Sequence, residues 1–581
     1  MRKNISYKST VLIASPLILL CLSCLLPLAV QHAKADIPIR VRNVNTDLNY
    51  VSIQEAIDAP QTLDGHMLLV NPGVYSEHLA VHKSLKIVGS GAEATIVDGG
   101  GFGTVVHINA NNVLFSGFTV RNGGNSSVDF LNSGIFIDYC ENVTISNDTV
   151  ANCRYGVYLF HSANSRLIDN NVSMNYEDGV WLYYSRSSIL ERNTIASNKY
   201  NFGVFGQNFA EFNHTVDTSN VVDDKPIRYE IGLSNKVFDS RIEAGTLYLI
   251  NANNVTVRDL HLSRNGNGLF LWNATDSKVE NVTVSDNNYG IFLQESNGNV
   301  IRGNKCPNNW VGIFLENSDQ NSVKGNSAPT NEKGISLYDS NDNCLEGNTV
   351  VANLYGIRFF ASSSNKICHN NLIENTEQID LVNSHDNDLD DGSEGNFWSD
   401  YSGLDINEDG IGDTTHDVGG EQDRYPLMGR FYEFEVSLDR EAFHVSIVCS
   451  SLVTGFTSER ISDGDTRTIN FSVTSEFEKQ GFCRISIPTA LLRGPYVVKT
   501  HDSSWHNTTL STLPSSNETC ALLYFKYNNS VHSIKILGIG PSPGLFLDPY
   551  LALTLVLVFI SVCLVLYLAA RRRMARTGIV K

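Results

Sequence analysis

The run Asp405-Ile406-Asn407-Glu408-Asp409-Gly410-Ile411-Gly412-Asp413 places oxygen donors at alternate positions around a glycine. Ca2+ takes about six to eight oxygen ligands, and this spacing matches the first half of an EF-hand-type loop. Asp405, Asn407 and Asp409 would supply side-chain oxygens, Ile411 its carbonyl and Asp413 a further carboxylate. The distant bidentate glutamate of such loops has no counterpart in register, although Glu421 and Asp423 follow. The alternative is an acidic turn without an ion.

Catalytic carboxylates are sparser. Glycoside hydrolysis needs two carboxyl groups at a fixed separation. Asp223-Asp224 falls in an irregular stretch, and Asp390-Asp391 in an acidic tract that also suits cations. Glu295, Glu316 and Asp339 recur at nearly one interval and could cluster, or could form a solvated acidic strip.

A third chemistry is aromatic. Phe136, Tyr158, Trp181, Phe270, Phe292 and Phe314 occupy one position of a repeat, with Tyr183 and Trp272 two residues further on in theirs. Aromatic faces pair with the apolar faces of sugars and lose little rotamer freedom. Tyr158, Trp181, Phe270, Phe292 and Phe314, flanked by Tyr183 and Trp272, are therefore the candidate carbohydrate-binding residues. A protein partner or a covering loop would also satisfy such a stripe.

The elements that position these groups follow from the repeat. With Gly134 as zero, glycine recurs at Gly156, Gly179 and Gly203, and then at Gly268, Gly290, Gly312, Gly334 and Gly356, the last five at intervals of 22. In the eight coils that open at these glycines, Gly203 excepted, offsets 1, 3, 11 and 16 are all small or apolar; the fifth coil has Ile291, Leu293, Ile301 and Cys306. Offsets 1 and 3 point to one face of a strand, and offsets 11 and 16 belong to two further strands. Asparagine recurs at offset 14, as in Asn304, Asn326, Asn348 and Asn370, and at offset 19, as in Asn309, Asn331 and Asn353. Asparagine suits left-handed turns, and stacked amides bond to each other. A coil zeroed at Thr246 also obeys the rule, with Leu247, Leu249, Val257, Leu262 and Asn265. The fold class is all-β: a right-handed parallel β-helix of 22-residue coils, a small β-sandwich and one C-terminal transmembrane helix. About 14 coils would span ~65 Å at ~4.8 Å each.

The ends carry address signals. Arg2, Lys3 and Lys8 precede an apolar run from Val11 to Val30, and Ala33-Lys34-Ala35 offers a cleavage site, so a secretory leader is expected. Tyr550 to Ala570 is apolar and long enough to span a bilayer, and Arg571, Arg572, Arg573 and Arg576 follow it. That predicts a single-pass protein with its bulk outside and its C-terminus in the cytoplasm. A formal net charge of −19 argues against nucleic acid as a partner. Eight of the 11 cysteines lie between the leader and the anchor with no C-x-x-C pair, so no disulfide framework is expected.

The chain resembles NosD-like β-helix proteins of the pectate-lyase-like superfamily. The resemblance rests on IQEAIDA…VNPGVYSEHLAVHKSLKIVGSG, on the coils G-I-F-L…N-x-V-x-G-N, on DTSNVVDDKPIRY, and on NFWSDYSGLDINEDGIGD…DRYPL; it covers roughly Asn43 to Met428. The tail looks like the sandwich module before the anchor of archaeal surface proteins. The resemblance implies copper as a second metal, yet only Met67, Met174 and Met428 lie between the terminal runs, and soft ligands are few.

The expected order is leader 1–35, helical cap 36–66, β-helix 67–395, acidic calcium-loop cap 396–430, sandwich 431–540, linker 541–549, membrane helix 550–570 and cytoplasmic tail 571–581. The expected function is non-catalytic binding or scaffolding of a cell-envelope polysaccharide. The alternatives are a polysaccharide lyase or glycoside hydrolase, and a copper-site maturation factor.

Overall fold

The computed structural model describes residues 40–126, 132–438, 440–460, 467–474, 480–528 and 530–538, with a few helical positions between 557 and 572. The leader lies outside the described residues, as does much of the run from Tyr550 to Ala570. Among the described residues no helix is long and apolar enough to cross a membrane.

Parallel strands stacked coil on coil form the main body. Its apolar positions are those of the repeat: Ile291, Leu293, Ile301 and Cys306 are fully buried, as are their equivalents in neighbouring coils. The helix Ile53–Asp58 closes the first coil with Ile53, Ala56 and Ile57. Ser52 Oγ accepts from the Glu55 amide, and Lys83 Nζ donates to the carbonyls of Ile57, Ala59 and Thr62 beyond the helix's last turn. Both ends of this short helix are thereby satisfied.

Asparagine ladders stitch the coils. Asn326 Oδ1 accepts from both the backbone N–H and the side-chain amide of Asn304, each at 2.9 Å, and Asn348 does the same for Asn326 at 2.9 and 3.0 Å. Asn326 Nδ2 also donates to the Ile301 carbonyl at 2.9 Å. The amides of this ladder thus bond both to one another and to backbone groups of the neighbouring coil. A third ladder, Asn299–Asn321–Asn343–Asn365–Asn387, runs at another corner beside a serine ladder through Ser296, Ser318 and Ser340.

The body is two segments with a switch between them. In the first, the glycine-led strands form a six-stranded sheet that ends at Tyr200–Phe205. The glycine-led strands of the second segment do not extend that sheet. Val221–Val222 turns back through Asp223-Asp224 and pairs antiparallel with Lys225–Ile231, on which Thr246–Ile250 and Asn267–Trp272 then stack in parallel. The second segment therefore continues a different sheet of the first, the one carrying offset 16. Gly203 also departs from the glycine count: it pairs with Trp181, not with Gly179, and so occupies the outward aromatic position.

Beyond the last coil, Phe397–Trp398 pairs with Asn371–Ile373, and the buried Trp398 donates Nε1 to Asp423 at 2.7 Å. The described strands from Arg430 to Gly538 form two five-stranded antiparallel sheets around a common apolar core. This unit is fastened to the end of the β-helix: Asn371 bonds the Phe431 amide and carbonyl, Arg484 meets Glu394 at 2.7 Å, and Lys526 meets Glu408 at 2.6 Å.

Candidate functional site at the crease between the two segments

The switch brings the aromatic face of the second segment against the end of the first. Gly266 N–H donates to the Phe202 carbonyl at 2.9 Å, and Asn267 Nδ2 to the Val204 carbonyl at 3.1 Å. The helix Phe209–Phe212, capped by Asn208, lies over the crease and sets Phe212 5.3 Å from Phe270 and 5.1 Å from Trp272. Tyr248 packs between Phe202 and Tyr229.

This corrects part of the sequence expectation. Phe270 and Phe292 are 0% and 1% exposed and Trp272 is 8% exposed, so these three face protein and not a ligand. The connection 206–231 needs apolar surface to fold against and takes it from Phe270 and Trp272, while Phe292 packs on Phe270, Tyr289 and Phe314. Tyr158, Trp181, Tyr183 and Phe314 stay half-buried.

Two neighbouring rows line the first segment, an inner one that is half-buried and an outer one that is more open. Phe160, Tyr183 and Phe205 stack nearly parallel at 5.7 and 5.2 Å. Beside them Tyr139, His161 and Tyr184 stack at 4.8 and 5.0 Å, and Tyr139 is 67% exposed. The second row occupies the left-handed turn position of each coil, with φ of 51°, 47° and 48°. Bulky side chains are uncommon there, and asparagine, aspartate or alanine fills the same place elsewhere, as in Asn273, Asn317, Asp339 and Ala361. The sequence signal for this row was the residue immediately after the Tyr183 position, an aromatic or histidine in three successive coils.

Two carboxyl groups lie within the crease. Burial, with Glu177 beside it, pushes the Asp178 carboxyl up to about 8, against the pull of Lys199 and Arg154. Burial, with Glu295 and Asp339 nearby, pushes Glu316 up to about 7. Of the two readings of the acidic trio both hold in part: Glu295 and Asp339 are exposed, yet both act on the half-buried Glu316, while Asp178 was missed because its behaviour depends on burial. Tyr289 joins the two sides: its hydroxyl is pushed up by burial and by Glu316, Tyr183, Asp178 and Tyr200 around it. On consecutive strands Trp272 Nε1, Gln294 Oε1 and Glu316 Oε2 are buried without a hydrogen-bond partner.

These shifts set a pH dependence. A carboxyl whose folded pKa is raised stabilises the fold below its ordinary pKa of about 4, and that stability is lost as pH climbs through 7 to 8. Glu394 acts oppositely. Burial alone would raise it, but His369 at 3.3 Å and the Arg484 guanidinium hold it down at about 2, so its contribution is lost only as pH falls from about 4 toward 2. The urea midpoint should be higher at pH 5 than at pH 9, and Asp178→Asn should flatten that difference. Equal midpoints in the parent chain would refute the assignment.

The acidic loop is wound tightly. Asp405 accepts from the amides of Asp409 and Gly410, Asn407 Oδ1 from the Asp409 amide, Asp409 from the Ile411 amide and Asp413 from the Ile406 amide. Gly410 has φ +82° and permits the turn. Burial raises the Asp405 carboxyl, with Asp409 adding to it. Among the described residues no three His, Cys, Asp or Glu side chains converge as a metal centre. That set omits Asn407 and the Ile411 carbonyl, on which the calcium expectation also rests.

A family profile described as periplasmic copper-binding protein (NosD) matches residues 94–244 and 219–403, over half of the chain. The chain belongs to the NosD family. A cell surface glycoprotein of Methanothermus fervidus is 38% identical over 112 residues, 19% of this chain and 17% of that protein. The match therefore spans under a fifth of the relative's length. Among solved structures, the A-module of mannuronan C-5 epimerase AlgE6 from Azotobacter vinelandii is 17% identical over 58% of this chain and 94% of that one, with a TM-score of 0.29. The Dettilon tailspike protein is 14% identical over 81% and 87%, with a TM-score of 0.24. At these scores neither structure carries an argument about this chain. Copper, which the NosD description implies, finds no fitting donor set: Met174 is exposed on a coil turn, far in sequence from Met67 and Met428, and the described donors do not converge.

Proposed function

We propose that this NosD-family chain is a cell-surface protein that holds an extended polysaccharide along the aromatic rows of its first segment. The observation that supports it is the pair of stacks, the half-buried Phe160–Tyr183–Phe205 and the more open Tyr139–His161–Tyr184, whose rings repeat once per coil. A coil advances ~4.8 Å, close to the length of a sugar ring. Tyr158, Trp181 and Phe314 flank the rows from the crease. Titration with cell-envelope polysaccharides should give binding that Tyr139→Ala and Tyr183→Ala weaken about tenfold or more, roughly 1.4 kcal/mol. Added glycan should shield Trp181 from a soluble quencher. Binding unchanged in both variants would remove the proposal.

The raised pKa of Glu316 favours a second reading, acid–base cleavage of the bound chain, since a carboxyl that stays protonated near neutral pH can donate to a leaving oxygen. Glu316→Gln should then abolish release of reducing or unsaturated ends without loss of binding. No release by the parent chain ends this reading.

Calcium would be held by Asp405, Asn407, Asp409, the Ile411 carbonyl and Asp413, beside the contact of Glu408 with Lys526. A chelator should lower the melting temperature, and Asp409→Ala should remove that sensitivity. A parent melt unaffected by chelator counts against the ion. The leader and the run from Tyr550 to Ala570 would place the two segments and the two-sheet unit outside the cell. Protease added to intact cells should remove them and leave a membrane stub; protection of the bulk would overturn this topology.

A further inference from the structure

We propose that Cys449 and Cys483 form a disulfide inside the C-terminal two-sheet unit. They face each other in register on the adjacent antiparallel strands Glu441–Cys449 and Gly481–Pro488. Their sulfurs stand 2.7 Å apart, closer than two unbonded sulfurs pack, and too close to hold a metal ion between them. The next pair fixes the geometry. The Ser450 amide donates to the Phe482 carbonyl, so the cysteines occupy a non-hydrogen-bonded site. Opposed Cα atoms at such sites lie ~4.5 Å apart, inside the range a disulfide spans. Both side chains are fully buried, and Cys449 also meets the Tyr527 hydroxyl at 3.2 Å and the Ser451 backbone. The other six described cysteines lack this arrangement. Cys140, Cys153, Cys306 and Cys368 are buried in or against the coils, Cys344 lies beside Glu346, and Cys520 meets the Ser486 hydroxyl.

The bond forms while the strands are still accessible. Two S–H bonds break and one S–S bond forms. The two protons and two electrons pass to an external disulfide, that of a disulfide-carrying oxidoreductase or of oxidised glutathione, which leaves as two thiols. The residues cross-linked are 34 apart in sequence, so the bond closes a loop in the unfolded chain. It also lies next to the junction with the β-helix. Phe482 and Val448, the immediate neighbours of the two cysteines, pack with Leu427 and Phe431 there, and Arg484 reaches Glu394. Oxidation therefore stiffens the strand pair on which the β-helix is mounted, and it requires that this part of the chain fold in an oxidising compartment.

The test is made on the full chain expressed with export. It is denatured and alkylated without reductant, digested, and its cysteines are mapped by mass spectrometry. The expected result is a Cys449–Cys483 linked peptide pair, with Cys140, Cys153, Cys306 and Cys368 alkylated. Reductant should lower the melting temperature of the two-sheet unit by roughly 5 °C or more, and Cys449→Ala should no longer respond to it. Alkylation of both cysteines, in exported protein and again after refolding in a glutathione redox buffer, would overturn the proposal. So would a bond from either one to Cys520, or an equal response to reductant in the parent and Cys449→Ala.

Discussion

Asn326→Leu is expected to cost on the order of 3–6 kcal/mol of stability, although it replaces a polar residue with an apolar one of similar size in a buried position. The leucine removes the acceptor for two donors of Asn304 and the donor to the Ile301 carbonyl. Asn304 keeps its side-chain bond to the Val279 carbonyl, but its buried backbone N–H is left without a partner, and the Ile301 carbonyl loses its amide donor. Each such orphan costs about 1–3 kcal/mol. The damage also spreads, because a solenoid is held by contacts between neighbouring coils only. Urea unfolding read by circular dichroism should show an earlier midpoint, or a separate early transition of the second segment. Lys278→Gln, exposed on a strand of the same segment, should change stability by less than about 0.5 kcal/mol. A loss below 1 kcal/mol for Asn326→Leu would mean that the ladder is not what holds the coils in register.

Gly203→Leu should be comparably damaging. A Cβ at this position would lie 2.0 Å from Trp181 Cζ3 and 2.2 Å from Cε3, and the Cα already sits where a side chain on Gly266 would be, 2.8 Å from its Cβ position. Trp181 has little freedom to yield, since its strand pairs on both sides, with Tyr155–Phe160 and with Tyr200–Phe205. Either the indole is driven out or the second segment lifts away. Overpacking of this severity costs about 3 kcal/mol or more. Trp181 emission should shift to longer wavelength, and the crease should become open to quencher. The diagnostic comparison is a cycle of Gly203→Ala and Trp181→Ala. The pair should be less damaging together than the sum of the two, by more than about 1 kcal/mol. Additive losses would show that the clash is relieved elsewhere and that the glycine is not what allows the segments to meet.

The sequence by itself determined the repeat, its core and two of its ladders. A period of two within a period of 22 leaves one way to turn Ile291, Leu293, Ile301 and Cys306 inward together, and all four are fully buried. Asparagine at two fixed offsets required a stacked partner one coil away, and Asn304–Asn326–Asn348 and Asn309–Asn331–Asn353 supply it. The spacing of Glu295, Glu316 and Asp339 likewise set them at the ends of successive strands, but it left open which of them would be buried, and only Glu316 is partly so.

The tertiary structure decided what covers the outward face. An aromatic residue pointing out of a strand reads the same whether it awaits a sugar or a neighbouring element. Phe270 and Trp272 went to the second use because Val221–Val222 reverses onto Lys225–Ile231 and the connection lays Phe212 across them, while Phe292 is covered by Phe270, Tyr289 and Phe314. Glycine counting failed at Gly203 for the same reason: register is set by pairing, and here a glycine stands where Trp181 needs room. Asp178 became a raised carboxyl through burial, a property of the folded neighbourhood that includes Tyr248 and Tyr289 of the second segment. Cys449 and Cys483 carry no spacing signal at all. Strand register across 34 residues brings them face to face, and contacts of that kind arise between segments that local pattern does not relate.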